Sequence, residues 1–162
     1  MLGTLVLILL IISATPIVLD TVIGNEIMPD SRLYLVEKFG EMERLGIISL
    51  VLGDSGKARE LLRLAEERVE EAGYCLQNGM PDKAQECMTE WAKLVNMTLI
   101  IALKRNSTYL ASLVYNATNR HIERLEELSG LVPAGGLNKA VQVATKGRDV
   151  AYAVLVRIKK SA

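Results

Sequence analysis

A chain of 162 residues with 19 basic and 19 acidic side chains carries no formal net charge. The basic residues are dispersed and mostly sit beside acids, which argues against a dedicated nucleic-acid binder, since those carry a basic excess or stripe. Leu, Ala, Val, Ile, Glu, Lys and Arg dominate, aromatics are scarce (Trp91, Phe39 and five Tyr) and prolines number four, the composition of one helical domain large enough to fold without a disulfide or a metal.

Residues 1–24, "MLGTLVLILLIISATPIVLDTVIG", contain no Lys or Arg and one acid, Asp20. The run "LVLILLII" is a short apolar core, Pro16 breaks any helix soon after it, and Val22 to Gly24 offer small residues for cleavage. A secretory signal peptide is expected. An uncleaved anchor is the alternative, since about 20 apolar residues span a bilayer, and a buried helix of a soluble protein is the third reading. The expected location is extracytoplasmic, either secreted or anchored to the outer face of the cell membrane. Membrane contact is expected only through residues 1–24, followed by a helical-bundle domain over 28–160.

Pro29 with Asp30 or Ser31 forms a stop-then-cap pair ahead of a helix over about 31–52. That helix carries Leu33, Val36, Phe39, Met42 and Leu45, and its almost wholly apolar end, "LGIISLVLG", is expected to be buried or to face a membrane. Gly53, Asp54 and Ser55 break it. The next helix has the cleanest stripe in the chain: Ala58, Leu61, Leu62, Ala65, Val69, Ala72 and Leu76. Its acidic run, Glu66, Glu67, Glu70 and Glu71, is expected to be a solvated face partnered by Arg63 and Arg68. Asn78-Gly79 ends it, and Pro81 fits the first turn of the following helix.

From Pro81 to Gly130 no further Gly or Pro occurs. An unbroken helix there would be about 75 Å long, so a break is expected at "KRNST", with Asn106 or Ser107 capping. The pieces are about 82–104 and 108–129. After the linker "GLVPAGG" comes either one helix kinked at Gly147 or two. The fold class is all-α, an antiparallel bundle of about five helices with a long central hairpin, preceded by the N-terminal hydrophobic segment.

Three Asn-x-Thr triplets begin at Asn96, Asn106 and Asn116. Seven asparagines in this composition lead one to expect roughly one by chance. All three are glycosylation candidates if the chain is exported, and Asn106, in the expected break, is the best placed. Ten residues advance a helix by about 1000°, so the three do not share a face; caps and polar faces are the other explanation for them. Cys75 and Cys87 flank the Asn78-Gly79 turn. Export permits a disulfide between them if their Cα atoms come within about 7 Å; two small buried thiols are the alternative. No metal site is expected, since there is one His and no Cys-x-x-Cys. His121 lacks the Glu-x-x-His pattern of a di-iron bundle and is expected at a cap or on the surface. No nucleophile elbow, His-Glu-x-x-His or phosphate loop is present, so no catalytic and no cofactor-binding residue is assigned.

Three stretches, "MPDSRLYLVEKFGE", "RLAEERVEEAGYCLQNGMPDKAQECMTEW" and "NATNRHIERLEELSGLVPAGGLNKAVQVATKGRDVA", together resemble an uncharacterised helical domain of secreted or membrane-anchored proteins of archaea and some bacteria. The resemblance covers about residues 28–155 and implies an extracytoplasmic helical domain with no catalytic residues to carry over. The expected function is non-enzymatic, by contact with a protein partner or a component of the cell envelope. A carrier of a small hydrophobic ligand is the alternative, and an enzyme built on His121 the third. An exposed apolar patch would mark the first, an internal apolar cavity the second, and His121 in a cleft the third.

Overall fold

In the computed structural model the described residues are 28–31 and 34–161, and the segment 1–24 expected as a signal peptide or anchor lies outside them. Four helices follow one another: α1 (Tyr34–Gln77), α2 (Pro81–Lys104), α3 (Thr108–Glu126) and α4 (Ala134–Ser161), with no strand among the described residues. The all-α class agrees with the sequence; the count is four, not five. The difference lies at Gly53. Its backbone is non-helical, with φ 60° and ψ −156°, a region open in practice only to glycine. α1 therefore has two limbs, 34–52 and 54–77. Hydrogen bonds between the limbs show them antiparallel: Tyr34 Oη donates to Glu71 Oε2 at 2.8 Å, and Arg44 Nε to Glu60 Oε1 at 2.8 Å.

An added Cβ at Gly53 would meet nothing within 4 Å, so substitution there costs backbone strain alone. Gly53→Ala is expected to lower stability by about 1–3 kcal/mol. The reading is a lower urea midpoint with unchanged slope.

The remaining turns follow from local chemistry. After α1, Gly79 takes φ 70° and Met80 N–H donates to the Cys75 carbonyl at 2.8 Å, the closing bond of a left-handed helix cap. Pro81 then occupies the first turn of α2, where its missing N–H costs nothing. The break expected at "KRNST" uses both candidate residues. Asn106 is left-handed at φ 47°, and Ser107 caps α3 by accepting from Leu110 N–H at 3.2 Å. Gly135 and Gly136, expected in the linker, lie in the first turn of α4, which starts directly after Pro133.

Short connections make each helix run against its predecessor. α1 packs chiefly on α2, and α4 on α3 and α2. The predicted stripe of the second limb is the core: Ala58, Leu61, Ala65, Val69, Ala72 and Leu76 are all buried. Trp91, Met88 and Val95 of α2 meet it, with Val114 and Leu125 of α3 and Leu137, Ala140 and Ala144 of α4. Gly147 does not kink α4, which runs unbroken through it. A Cβ there would stand 2.4 Å from Cη2 of Trp91, so the glycine lets the α4 backbone rest on the indole. No helix among the described residues is long and apolar enough to cross a membrane.

Candidate interaction surface

The first limb of α1 has two faces, one charged and one apolar. Glu37, Gly40 and Glu41 are buried against the bundle. Of the apolar positions named from the sequence, Val36, Phe39 and Met42 are exposed, Leu45 is half-buried, and Leu33 lies outside the described residues. Of the two expectations for the "LGIISLVLG" end, burial and membrane contact, burial does not hold: Leu50 is 88% exposed, and Ile47, Val51 and Leu52 are also exposed. Leu35 (80%) completes the face. At about 100° per residue, Leu35, Phe39, Met42, Gly46 and Leu50 lie within one narrow arc.

What turns the charges inward is Arg68. It comes from the second limb and is 1% exposed. Its guanidinium bonds Glu41 from the first limb and Glu71 from its own, and donates to Tyr34 Oη at 3.1 Å. Burial works against its charge, and Glu71 outweighs that by holding the guanidinium protonated. Lys38 approaches Glu41 at 3.4 Å, and Glu71 and Glu90 at 3.6 Å each, tying α2 into the network. Nearer the Gly53 bend, Arg63 pairs with Glu60 and Glu67. Burial, then Glu71, keeps the Tyr34 phenol protonated. The predicted solvated acidic face is thus split: Glu66 and Glu70 are exposed, Glu67 is half-buried, and Glu71 with Arg68 belongs to a buried layer. A buried charge must be paired. Pairing across the limbs sets the rotation of the first limb and leaves its apolar stripe outside.

Surface grooves are lined by mixed residues. One of about 460 Å³ between α1 and α3 carries Glu70, Tyr74, Arg124 and Glu127 beside Val69 and Leu128. Another, of about 480 Å³, sits at the Gly53 bend and runs from Ile48 and Leu52 to Arg59 and Arg63. Neither is the internal apolar cavity a carrier would use.

His121 was expected at a cap or on the surface; it is 2% exposed in the core. Trp91 Nε1–H donates to its Nδ1 at 2.9 Å, so the imidazole is neutral with its proton on Nε2. Nε2 has no hydrogen-bond partner among the described residues. His121 lines neither groove. Burial, then Arg120, lowers its pKa to about 4. The unfolded chain takes up this proton near pH 6.5 and the folded chain near pH 4. Between those values the unfolded state binds more protons, so stability is complete above pH 6.5 and falls as pH drops toward 4. The expected loss attributable to His121 is at most about 1.4 kcal/mol per pH unit. It is measured as the part of the pH dependence of urea unfolding that His121→Gln removes.

Cys75 and Cys87 are free, buried thiols in the core. Cys87 Sγ lies 3.5 Å from Glu71 Oε2. Burial, then Glu71, raises the Cys87 thiol, and burial raises Cys75, so both stay protonated. Asn96, Asn106 and Asn116 are all exposed. Among the described residues no group of three or more His, Cys, Asp or Glu is placed to hold a metal.

The model of a family described as a domain of unknown function, DUF5667, matches residues 26–135. The chain belongs to the DUF5667 family. No curated protein and no solved structure matches it. The DUF5667 match takes in both limbs of α1, all of α2 and α3, and the linker, and stops at the second residue of α4. The first limb and the Arg68 network therefore lie wholly inside the family region. The rest of α4, which supplies Ala140, Ala144 and the glycine under Trp91, lies beyond it.

Sequence reasoning missed the orientation of the first limb, although the signal was present. Glu37, Glu41 and Arg44 recur at helical spacing opposite the apolar stripe, and Glu60, Arg68 and Glu71 match them in the next segment. Complementary charge on two successive segments is what marks a polar seam.

Proposed function

We propose that this DUF5667 chain is a non-enzymatic, exported helical domain that works by contact, and that the outward face of the first limb is where a protein partner binds. The observation that carries this reading is the exposed row Leu35, Phe39, Met42 and Leu50, held outward by charges that cannot turn away from Arg68. Contiguous exposed apolar side chains on a domain surface mark interaction sites. Fully covering one such side chain is worth about 1.5–3 kcal/mol, so four to six supply on the order of 10 kcal/mol toward association. Helix-in-groove recognition reads anchors at this spacing. Export rests on the apolar residues 5–12 and on the triplets, and places the contact outside the cytosol, where a protein or another envelope component is the partner.

The test is the double variant Phe39→Glu with Leu50→Glu in the full chain. Both side chains are exposed, so helicity and thermal midpoint are expected to stay near wild type. The native assembly, sized by chromatography of solubilised envelope, is expected to shift to the mass of the free chain. Unchanged assembly size with both substitutions present overturns the reading, as does an assembly that binds plain lipid vesicles and no protein.

A further inference from the structure

We infer that Asn106, alone among the three acceptor triplets, is a site of N-linked sugar in the folded protein. The inference rests on the export reading above for its occurrence in cells, and on geometry for its selectivity. All three asparagines are exposed, so the asparagine does not discriminate. The threonines do. Thr98 is fully buried with its hydroxyl donating to the Leu94 carbonyl at 3.0 Å, and Thr118 is fully buried with its hydroxyl donating to the Tyr115 carbonyl at 2.9 Å. Both lie within helices, and their triplets are locked in helical backbone. Thr108 is exposed in the first turn of α3. Its triplet is the interhelical turn itself, with Asn106 in left-handed backbone and Ser107 extended.

A transfer catalyst must reach the asparagine amide and the threonine hydroxyl together, which only Asn106-Ser107-Thr108 allows without unfolding a helix. In the transfer, Nδ2 of Asn106 bonds to the anomeric carbon of a sugar carried on a polyprenyl diphosphate. The bond from that carbon to the diphosphate oxygen breaks, the polyprenyl diphosphate leaves, and the amide proton passes to a base of the catalyst.

Position supports access. The turn stands at the Gly53 end of the bundle, where Arg105 pairs with Asp54 at 2.6 Å. Residues 28–30 lie at the other end, where Tyr74 donates to Asp30 and Lys83 to the Pro29 carbonyl. α2 separates the ends by about 36 Å at 1.5 Å per residue.

The experiment uses the folded full chain in detergent, an oligosaccharyltransferase and a polyprenyl-diphosphate sugar, read by intact mass and peptide mapping. The expected result is one added glycan, at Asn106, absent from Asn106→Asp and from Thr108→Ala, and additions at all three positions once the chain is unfolded in urea before reaction on separated peptides. A glycan at Asn96 or Asn116 of the folded chain, or none at Asn106, overturns the inference. In cells, an exported chain that is bare at Asn106 also overturns it and leaves export standing. A chain confined to the cytosol overturns export, while the reaction on purified protein still decides the choice among the triplets.

Discussion

Arg68→Ala is expected to lower the unfolding free energy by about 3–5 kcal/mol, the penalty for leaving one side of a buried ion network without its partner. Total stability for such a domain is about 5–15 kcal/mol, so the variant should stand near the edge of folding. The residue is 1% exposed and its guanidinium is shared among Glu41, Glu71 and Tyr34. Removing it leaves Glu41 and Glu71, both buried, to share Lys38, and the simplest relief is to rotate or release the first limb. Urea unfolding should therefore show a loss of midpoint, and amide exchange should rise in residues 34–52 before it rises in α2 or α3. A second variant separates charge from packing. Arg68→Met with Glu41→Gln and Glu71→Gln removes both signs together, and should recover most of the loss, because matched neutral replacements of buried ion groups are often close to neutral. If Arg68→Ala costs less than about 1 kcal/mol, as an exposed pair would, the limb is not oriented by this network.

Trp91→Ala is expected to cost about 3–5 kcal/mol, the usual range for an aromatic lost from a packed core. Trp91 is fully buried where α2, α3 and α4 meet, donates to His121, and has Gly147 against its ring. The contact with α4 makes a sharper test. In the wild-type background Gly147→Ala is destabilising, by about 1–3 kcal/mol, because a Cβ 2.4 Å from the indole forces the ring or the helix aside. In the Trp91→Ala background that Cβ enters empty space, and replacing glycine in a helix interior is worth about 0.8–1.0 kcal/mol. The sign of Gly147→Ala should therefore reverse between the two backgrounds, a coupling a double-mutant cycle reads directly. Additive effects would mean that the two residues do not touch.

What the sequence disclosed depended on whether a feature was local. The end of α1 at Asn78-Gly79, Pro81 in the first turn of α2 and the break at Asn106-Ser107 were legible because each is turn or cap chemistry within a few residues. The second limb was legible because one side of it is almost wholly apolar. The first limb was not, because it carries two good stripes, and hydrophobic periodicity assumes the apolar one faces in. Here the choice belongs to Arg68, more than twenty residues away from Glu41, and to the cost of burying a charge alone. The fifth helix was counted from the Gly53 break, and the backbone does leave the helical region there, at one residue within α1. His121 reads as a polar residue of a charged segment, and nothing within its own helix reveals that Trp91 from α2 waits to donate to it. Gly147 reads as a kink for the same reason: its contact is on another helix.

The outward apolar face of the first limb is tested most directly by a photo-cross-linking amino acid placed in turn at Met42, at Leu50 and at Glu66 in the native cell. Met42 and Leu50 lie on the apolar face and Glu66 is exposed on the second limb. The expected result is one discrete protein adduct of the same mass from Met42 and Leu50, absent from Glu66, and lost when Leu35 and Phe39 are both changed to Ser. No protein adduct from Met42 or Leu50, or an equal one from Glu66, would contradict it.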